Sequence, residues 1–287
     1  MAVQGQSRPQ RRICKRMVLF ACVWVAANYA IIWSLDLYDD SVAASEAKVP
    51  LKVLRRFEAR VFRLGAASDN AGVSLAYRFR PPSVWDSEQS APLLVFLHGS
   101  GQRGYDNVQQ LKAAPSVMCE SQLVVRYPCA MLVPQCPGKC NWTSPVSSKH
   151  DMTDVLLEMI DDVLRDQRID PRRVYLVGTS MGGFGVWRVA ARAPRRFAAV
   201  VPIAGGASED IADSLVDVPI WAVHSIDDES VPVKHTQQII AAIRERGGNP
   251  RFLELTNAGH GAWRDVFQDG SPVLDWMFQQ RRAIESE

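Results

Sequence analysis

Six short apolar runs, most of them separated by segments of helical spacing, limit what this chain can fold into. They are LLVFL at 93–97, AMLV at 130–133, VYLV at 174–177, AAVV at 198–201, IWAV at 220–223 and FLEL at 252–255. A strand with one wet face alternates apolar and polar residues, whereas a run that is apolar nearly throughout suits a strand covered on both faces, as in a parallel sheet. Between the runs, residues 154–167 put Val155, Leu156, Met159, Ile160, Val163 and Leu164 on one stripe, and 186–193, 233–244 and 273–282 behave similarly. Strand alternating with helix implies right-handed crossovers and an α/β, mostly parallel, doubly wound sheet. Ahead of these, residues 56–64 and 73–79 alternate in character and predict two opening strands, an antiparallel edge. The 287 residues suit one such domain of about 200 to 250 residues with an N-terminal appendage.

That appendage has its own grammar. Arg8, Arg11, Arg12, Lys15 and Arg16 precede residues 17–35, which carry no charge, and no acidic residue occurs before Asp36. A helix over 17–35 is about as long as the hydrocarbon core is thick at ~1.5 Å per residue. Cations before it and Asp36, Asp39 and Asp40 after it put the N-terminus on the cytoplasmic side. The expected order is a basic cytoplasmic tail (1–16), a single-pass signal-anchor (17–35), a linker (36–52) and the α/β domain (53–287) on the lumenal, periplasmic or extracellular side. Secretion after cleavage of a signal peptide is the alternative, with Val42-Ala43-Ala44 as a passable site. Cys119, Cys129, Cys136 and Cys140 cluster in one stretch of the domain. In an oxidising compartment they would form two disulfides, with three connectivities open; buried free thiols are the alternative. Asn141-Trp142-Thr143 is a formal glycosylation sequon. The formal net charge is +2, with the basic excess mostly in the tail, so nothing in the domain calls for a nucleic-acid partner.

The chemistry centres on Gly178-Thr179-Ser180-Met181-Gly182-Gly183, which follows one apolar run and precedes a helical segment. In that setting G-x-S-x-G forms a sharp turn that exposes the serine, and flanking residues without side chains let strand and helix approach. The helix N-terminus beside the serine offers free N–H groups to developing negative charge. A serine hydroxyl needs a base within hydrogen-bonding reach. Of the five histidines, His260 lies in a small-residue loop after the last apolar run. His98 and His224 end earlier runs and suit structural roles; His150 and His235 have polar surroundings. Residues 224–232, between the serine and His260, offer three carboxylates, Asp227, Asp228 and Glu229, of which one can hold the imidazole tautomer. The backbone N–H of Met181 is the first expected oxyanion donor. The second is the N–H of Ser100, in the flexible His98-Gly99-Ser100-Gly101 turn. No G-K-[ST] follows these glycines, so they do not read as a phosphate cradle.

Taken together these residues resemble the α/β-hydrolase superfamily, and within it the phospholipase/carboxylesterase and dienelactone-hydrolase-like group, including predicted peptidases and polyhydroxybutyrate-depolymerase-like esterases. The likeness runs from about Ala76 to Gln280 in four ordered motifs: Leu97-His98-Gly99-Ser100-Gly101, the elbow continued through Phe184-Gly185, Asp228-Glu229-Ser230-Val231-Pro232, and Gly259-His260 with Trp263. The third is similar to the family's D-x-x-V-P acid loop and favours Asp228 over Asp227; Ser225 stands where the family usually has glycine. The resemblance implies an α/β-hydrolase fold and acyl transfer through Ser180, His260 and Asp228, with no cofactor and no metal. Gly99, Gly101 and Trp263 are candidate substrate contacts; Trp142, in the polar 139–143 stretch, is a further candidate for the leaving-group side of the cleft, with structural packing as the favoured reading. Residues 204–218 are too few for a large cap, so an open cleft and small-molecule or polymer-linked esters are expected. A serine peptidase with the same triad, and an inactive membrane-tethered binding protein, are the competing functions. Oligomeric state is open.

Overall fold

In a computed structural model of the chain, residues 48–63, 73–82, 90–146, 151–165 and 168–283 are described. The expected tail and signal-anchor lie outside them, as does most of the linker. Among the described residues no helix is long and apolar enough to cross a membrane. The last linker residues already belong to the folded domain: Val49 is buried, and 51–54 form a helical turn that buries Val53 and Leu54.

The described residues form one eight-stranded sheet. Its strands are β1 (Glu58–Arg63), β2 (Ser74–Arg80), β3 (Ala91–Leu97), β4 (Ala130–Pro134), β5 (Ile169–Thr179), β6 (Ala199–Ile203), β7 (Trp221–Ser225) and β8 (Arg251–Leu255). They are ordered β1-β2-β4-β3-β5-β6-β7-β8. β1 runs antiparallel to β2 and β2 antiparallel to β4, while β4 through β8 are mutually parallel. The six apolar runs are the six parallel strands. β3, β4 and β6 are buried over almost their whole length, because helices cover both faces.

Four helices of eight or more residues stand among the described residues: α1 (Met152–Leu164), α2 (Met181–Arg192), α3 (Lys234–Glu245) and α4 (Pro272–Gln279). Asp151 caps α1, accepting from the amides of Thr153 and Asp154, while Asp154 reaches back to the amide of Asp151. That reciprocal box satisfies amides which have no carbonyl one turn earlier. Ser271 caps α4, with Pro272 in its first turn. Helix α2 begins five residues before the expected 186, directly after Ser180. The Met181-Gly182-Gly183 stretch has weak helix propensity, and its close seat against β3 and β6 overrides that weakness.

One expectation is corrected. Cys119, Cys129, Cys136 and Cys140 are free thiols, not two disulfides. The Arg80 guanidinium donates to the sulfurs of Cys119 at 3.6 Å and Cys129 at 3.8 Å, so each sulfur serves as an acceptor of its own; Cys136 is packed in the core and Cys140 at its edge. The two opening strands form the expected antiparallel edge, with β2 as its inner member between β1 and β4. Arg78 and Arg80, on its polar side, are buried and donate to the carbonyls of Asn107 (2.6 Å) and Met118 (2.6 Å), tying down the segment that follows β3.

Candidate active site

Register decides where the loops meet. Leu97 of β3 lies beside Gly178 of β5, Thr179 beside Ile203 of β6, Ile203 beside Val223 of β7, and Ser225 beside Leu255 of β8. The carboxyl ends of five strands therefore finish along one rim, and the loops leaving them open into one crevice, the usual place for a site on an open parallel sheet.

Ser180 stands at the turn between β5 and α2 with φ 56° and ψ −119°, a conformation sparsely populated by residues with a side chain. Its amide donates to the carbonyl of Ile203 at 2.9 Å, which pins the strained turn to β6. A Cβ on Gly182 would run into the carbonyl of Leu97, and one on Gly178 into the carbonyl of Gly182. Only glycines let helix, elbow and β3 pack this closely.

His260 sits in a single turn of 3-10 helix after β8. Its Nε2 is 2.9 Å from Ser180 Oγ, and its Nδ1 is 2.7 Å from Asp228 Oδ2. The imidazole is about one-third exposed, whereas the Asp228 side chain is fully buried. Asp228 Oδ1 accepts from the amides of Ser230 and Val231, each at 2.9 Å. Burial pushes the Asp228 pKa up, but the hydrogen bond from His260 and those two amides outweigh it and hold the carboxyl below its usual range. The neighbouring carboxylates take other parts. Asp227 accepts from the Ser225 hydroxyl and from the amide of Gly259 at 3.0 Å, and Ser225 Oγ accepts from the amide of Ala258 at 3.1 Å. Asp227 and Ser225 thus hold the loop that carries His260. Glu229 is exposed.

Gly99 is buried beside Ser180, and an added Cβ there would stand 3.4 Å from Ser180 Cβ. Ser100 follows at the exposed start of a 3-10 turn, and Gly101 is exposed with open space around its Cα. Arg103 donates to the carbonyls of Ser100 (3.1 Å) and Cys140 (3.3 Å), strapping this loop to the one after β4. Met181, first residue of α2, has an amide at a position where a helix has no carbonyl to offer.

Trp142 is not placed to touch a substrate. It is 1% exposed, its indole N–H donates to the carbonyl of His98 at 3.0 Å, and its ring meets His98 edge-on. It is a strut beneath the Gly99–Gly101 turn. His98 completes that support: its Nδ1 is 2.7 Å from the Gly99 carbonyl, and its Nε2 accepts from the Cys136 amide at 2.9 Å. Burial lowers its pKa to about 4, which keeps it neutral. Trp263, half-buried three residues beyond His260, carries the Arg264 guanidinium 4.8 Å over its ring.

Sequence reasoning passed over a cavity of about 440 Å³ lined by Phe184, Ala207, Ser208, Glu209, His235 and Gln238. The exposed Phe184 lies one helical turn from Ser180, its amide bonded to the Ser180 carbonyl. The only signal in the sequence was Phe184 itself, an aromatic residue in the first turn after the serine.

With this geometry in hand, the comparisons with known proteins are direct. The chain belongs to the alpha/beta hydrolase family, which matches residues 94–285. Over 158 residues it is 27% identical to the bifunctional acetylxylan esterase/xylanase XynS20E of Neocallimastix patriciarum, covering 55% of this chain and 22% of that protein. Over 125 residues it is 34% identical to poly(3-hydroxyalkanoate) depolymerase C of Paucimonas lemoignei, covering 41% and 28% respectively. It thus spans under a third of either curated relative. Among solved structures, a thermostable esterase aligns with TM-score 0.71 and 31% identity, over 80% of this chain and 64% of that one. The acylaminoacyl peptidase of Pyrococcus horikoshii aligns with TM-score 0.61 at 15% identity, over 81% and 43%, and shares the fold.

Proposed function

We propose that the chain is a serine carboxylesterase in which Ser180 is the nucleophile, His260 the general base and acid, and Asp228 the group that orients His260. The observation that carries this is the pair of hydrogen bonds at His260, 2.9 Å to Ser180 Oγ and 2.7 Å to Asp228 Oδ2, on a serine held in a strained elbow.

The steps follow from the geometry. Asp228 accepts a hydrogen bond from the Nδ1–H of His260, so the lone pair on Nε2 points at Ser180. As Ser180 Oγ attacks the ester carbonyl, its proton passes to Nε2, and the carbonyl oxygen takes negative charge. The amides of Met181 and Ser100 are the donors for that oxyanion. Collapse expels the alcohol, which takes the proton from His260 and leaves an acyl-Ser180. Water, deprotonated by His260, then attacks the acyl carbon and releases the acid. No cofactor enters. The cavity beside Phe184 supplies room for the larger part of the substrate, so Phe184→Ala should raise KM for bulky esters and leave short acyl esters nearly unchanged.

A fluorophosphonate probe tests the reading: it should label the folded chain at Ser180 and fail on Ser180→Ala. Labelling elsewhere, or none in folded protein, overturns it. A panel of acyl esters against matched amides then measures ester preference. For the appendage, we propose from its charge and apolar length that residues 17–35 anchor the domain to a membrane as a single span; resistance of the full chain to alkaline carbonate extraction supports this, and release refutes it.

A further inference from the structure

His224, the penultimate residue of β7, has no part in the steps above, yet it lies against the acid that orients His260. Its side chain and that of Asp228 are both fully buried, with Nε2 3.3 Å from Asp228 Oδ2. Nε2 is also 2.9 Å from the carbonyl of Val231. On the other side of the ring, Nδ1 is 2.7 Å from Thr236 Oγ1, and the Thr236 hydroxyl donates to the carbonyl of Gly205.

Counting protons along this chain gives a definite answer. A hydroxyl has one proton, and the Gly205 carbonyl, which can only accept, takes that of Thr236. Thr236 Oγ1 must then accept from Nδ1–H. Nε2 faces a carbonyl and a carboxylate, both acceptors, so it must carry a proton too. A neutral imidazole has a single N–H. Leaving Nδ1 bare would turn the Thr236 proton away from Gly205 and set two oxygen lone pairs against each other. Leaving Nε2 bare would aim a lone pair at a buried carboxylate. His98 shows the contrast within the same molecule: one ring nitrogen meets a carbonyl and the other receives an amide proton, so one N–H suffices.

We propose that His224 is an imidazolium at the pH at which the enzyme works, a fixed countercharge to Asp228 that tunes the basicity of His260. It is a positioning residue acting through the acid. Burial lowers the His224 pKa by more than the Val231 carbonyl and Asp228 raise it. Opposing that, a neutral ring would leave buried acceptors facing one another with no donor between them, and such unpaired groups are among the costliest arrangements in a protein interior. The other charged and titratable groups around it leave the role to His224. His260 meets the same oxygen, Asp228 Oδ2, through Nδ1, Asp227 is engaged by Ser225 and Gly259, and Glu254, beside His224 in the sheet, is held by Gln237. Lys234 and His235 at the start of α3 are exposed.

The consequence is kinetic. Without the cation, the Asp228 carboxylate faces His260 uncompensated and stabilises its protonated form more strongly. In His224→Gln the acid limb of the kcat/KM profile should therefore move up by about one pH unit, with KM little changed. Nitrogen NMR of the histidine rings in the full-length chain at neutral pH should show His224 with both nitrogens protonated. Thr236→Val, which keeps the branched shape and removes the Nδ1 acceptor, should shift that signal and serves if His224→Gln does not fold. A bare ring nitrogen at His224, or an acid limb that stays put in folded His224→Gln, overturns the proposal. The kinetic half rests on the triad reading, but the protonation state does not: a doubly protonated His224 in a chain that turns over no ester would refute the triad and leave the imidazolium standing.

Discussion

At the scale of single residues, the two adjacent acids of the β7 loop illustrate how geometry divides labour. Asp228 is buried and bonded to His260 Nδ1; Asp227 is exposed and bonded to Ser225 and the Gly259 amide. Asp228→Asn removes the acceptor that holds the reactive tautomer, and kcat/KM for a short acyl ester should fall by roughly 10³- to 10⁴-fold. Asp227→Asn keeps an oxygen for the loop contacts, and its loss should stay within about tenfold by comparison with a single exposed hydrogen bond. Steady-state kinetics of the two variants checks the ranking, and the reverse order would reassign the acid. Sequence alone left three carboxylates open, and only the motif resemblance favoured Asp228. Trp142 was less legible. A tryptophan in a polar stretch gives the same local signal whether it lines a cleft or braces one, and the choice depends on what stands above it.

Secondary-structure elements convert these residues into a site. Trp142, Arg103 and His98 hold the Gly99–Gly101 turn at the end of β3 from below and from the side. Trp142→Phe keeps most of the packing but strands the buried carbonyl of His98, which should cost about 1–3 kcal/mol. A lowered thermal midpoint together with a reduced kcat on small esters is the expected result; an unchanged kcat would mean that the turn needs no brace. At the elbow, Gly182→Ala would drive a methyl group into the Leu97 carbonyl, and failure to yield folded protein in a thermal melt is expected. The pattern of apolar runs located β3 to β8, and in β3, β4 and β6 burial on both faces leaves a direct imprint on composition. It did not locate the start of α2, where packing against β3 and β6 overrules glycine's weak propensity. Nor did it show that the arginines of β2 face a covering loop, since alternation looks alike whether the polar side meets water or backbone carbonyls.

For the whole molecule, acid should be the weak side. His98 is buried and neutral, with its pKa lowered from 6.5 to about 4, so between those values the unfolded chain binds a proton that the folded chain refuses. The stabilisation is complete above pH 6.5 and is lost as pH falls toward about 4, amounting to roughly 3 kcal/mol at about 1.4 kcal/mol per pKa unit. Asp228, whose pKa folding also lowers, adds to the loss at still lower pH. Thermal midpoints measured from neutral pH downward should fall through this window, and a flat profile would show that His98 accepts a proton without unfolding. Fold class, the apolar strands and the elbow were legible in the linear sequence, which also singled out Ser180 and His260 as candidates, because each rests on a local pattern: periodicity, glycine spacing, or a motif following a strand. The tertiary structure brought Asp228, the acid the motif favoured, to His260, and it alone decided that Trp142 is a strut, that four cysteines stay thiols, and that His224 lies against the acid. Those outcomes depend on which atoms are left facing one another after distant segments pack, and no local pattern encodes a partner that lies many residues away.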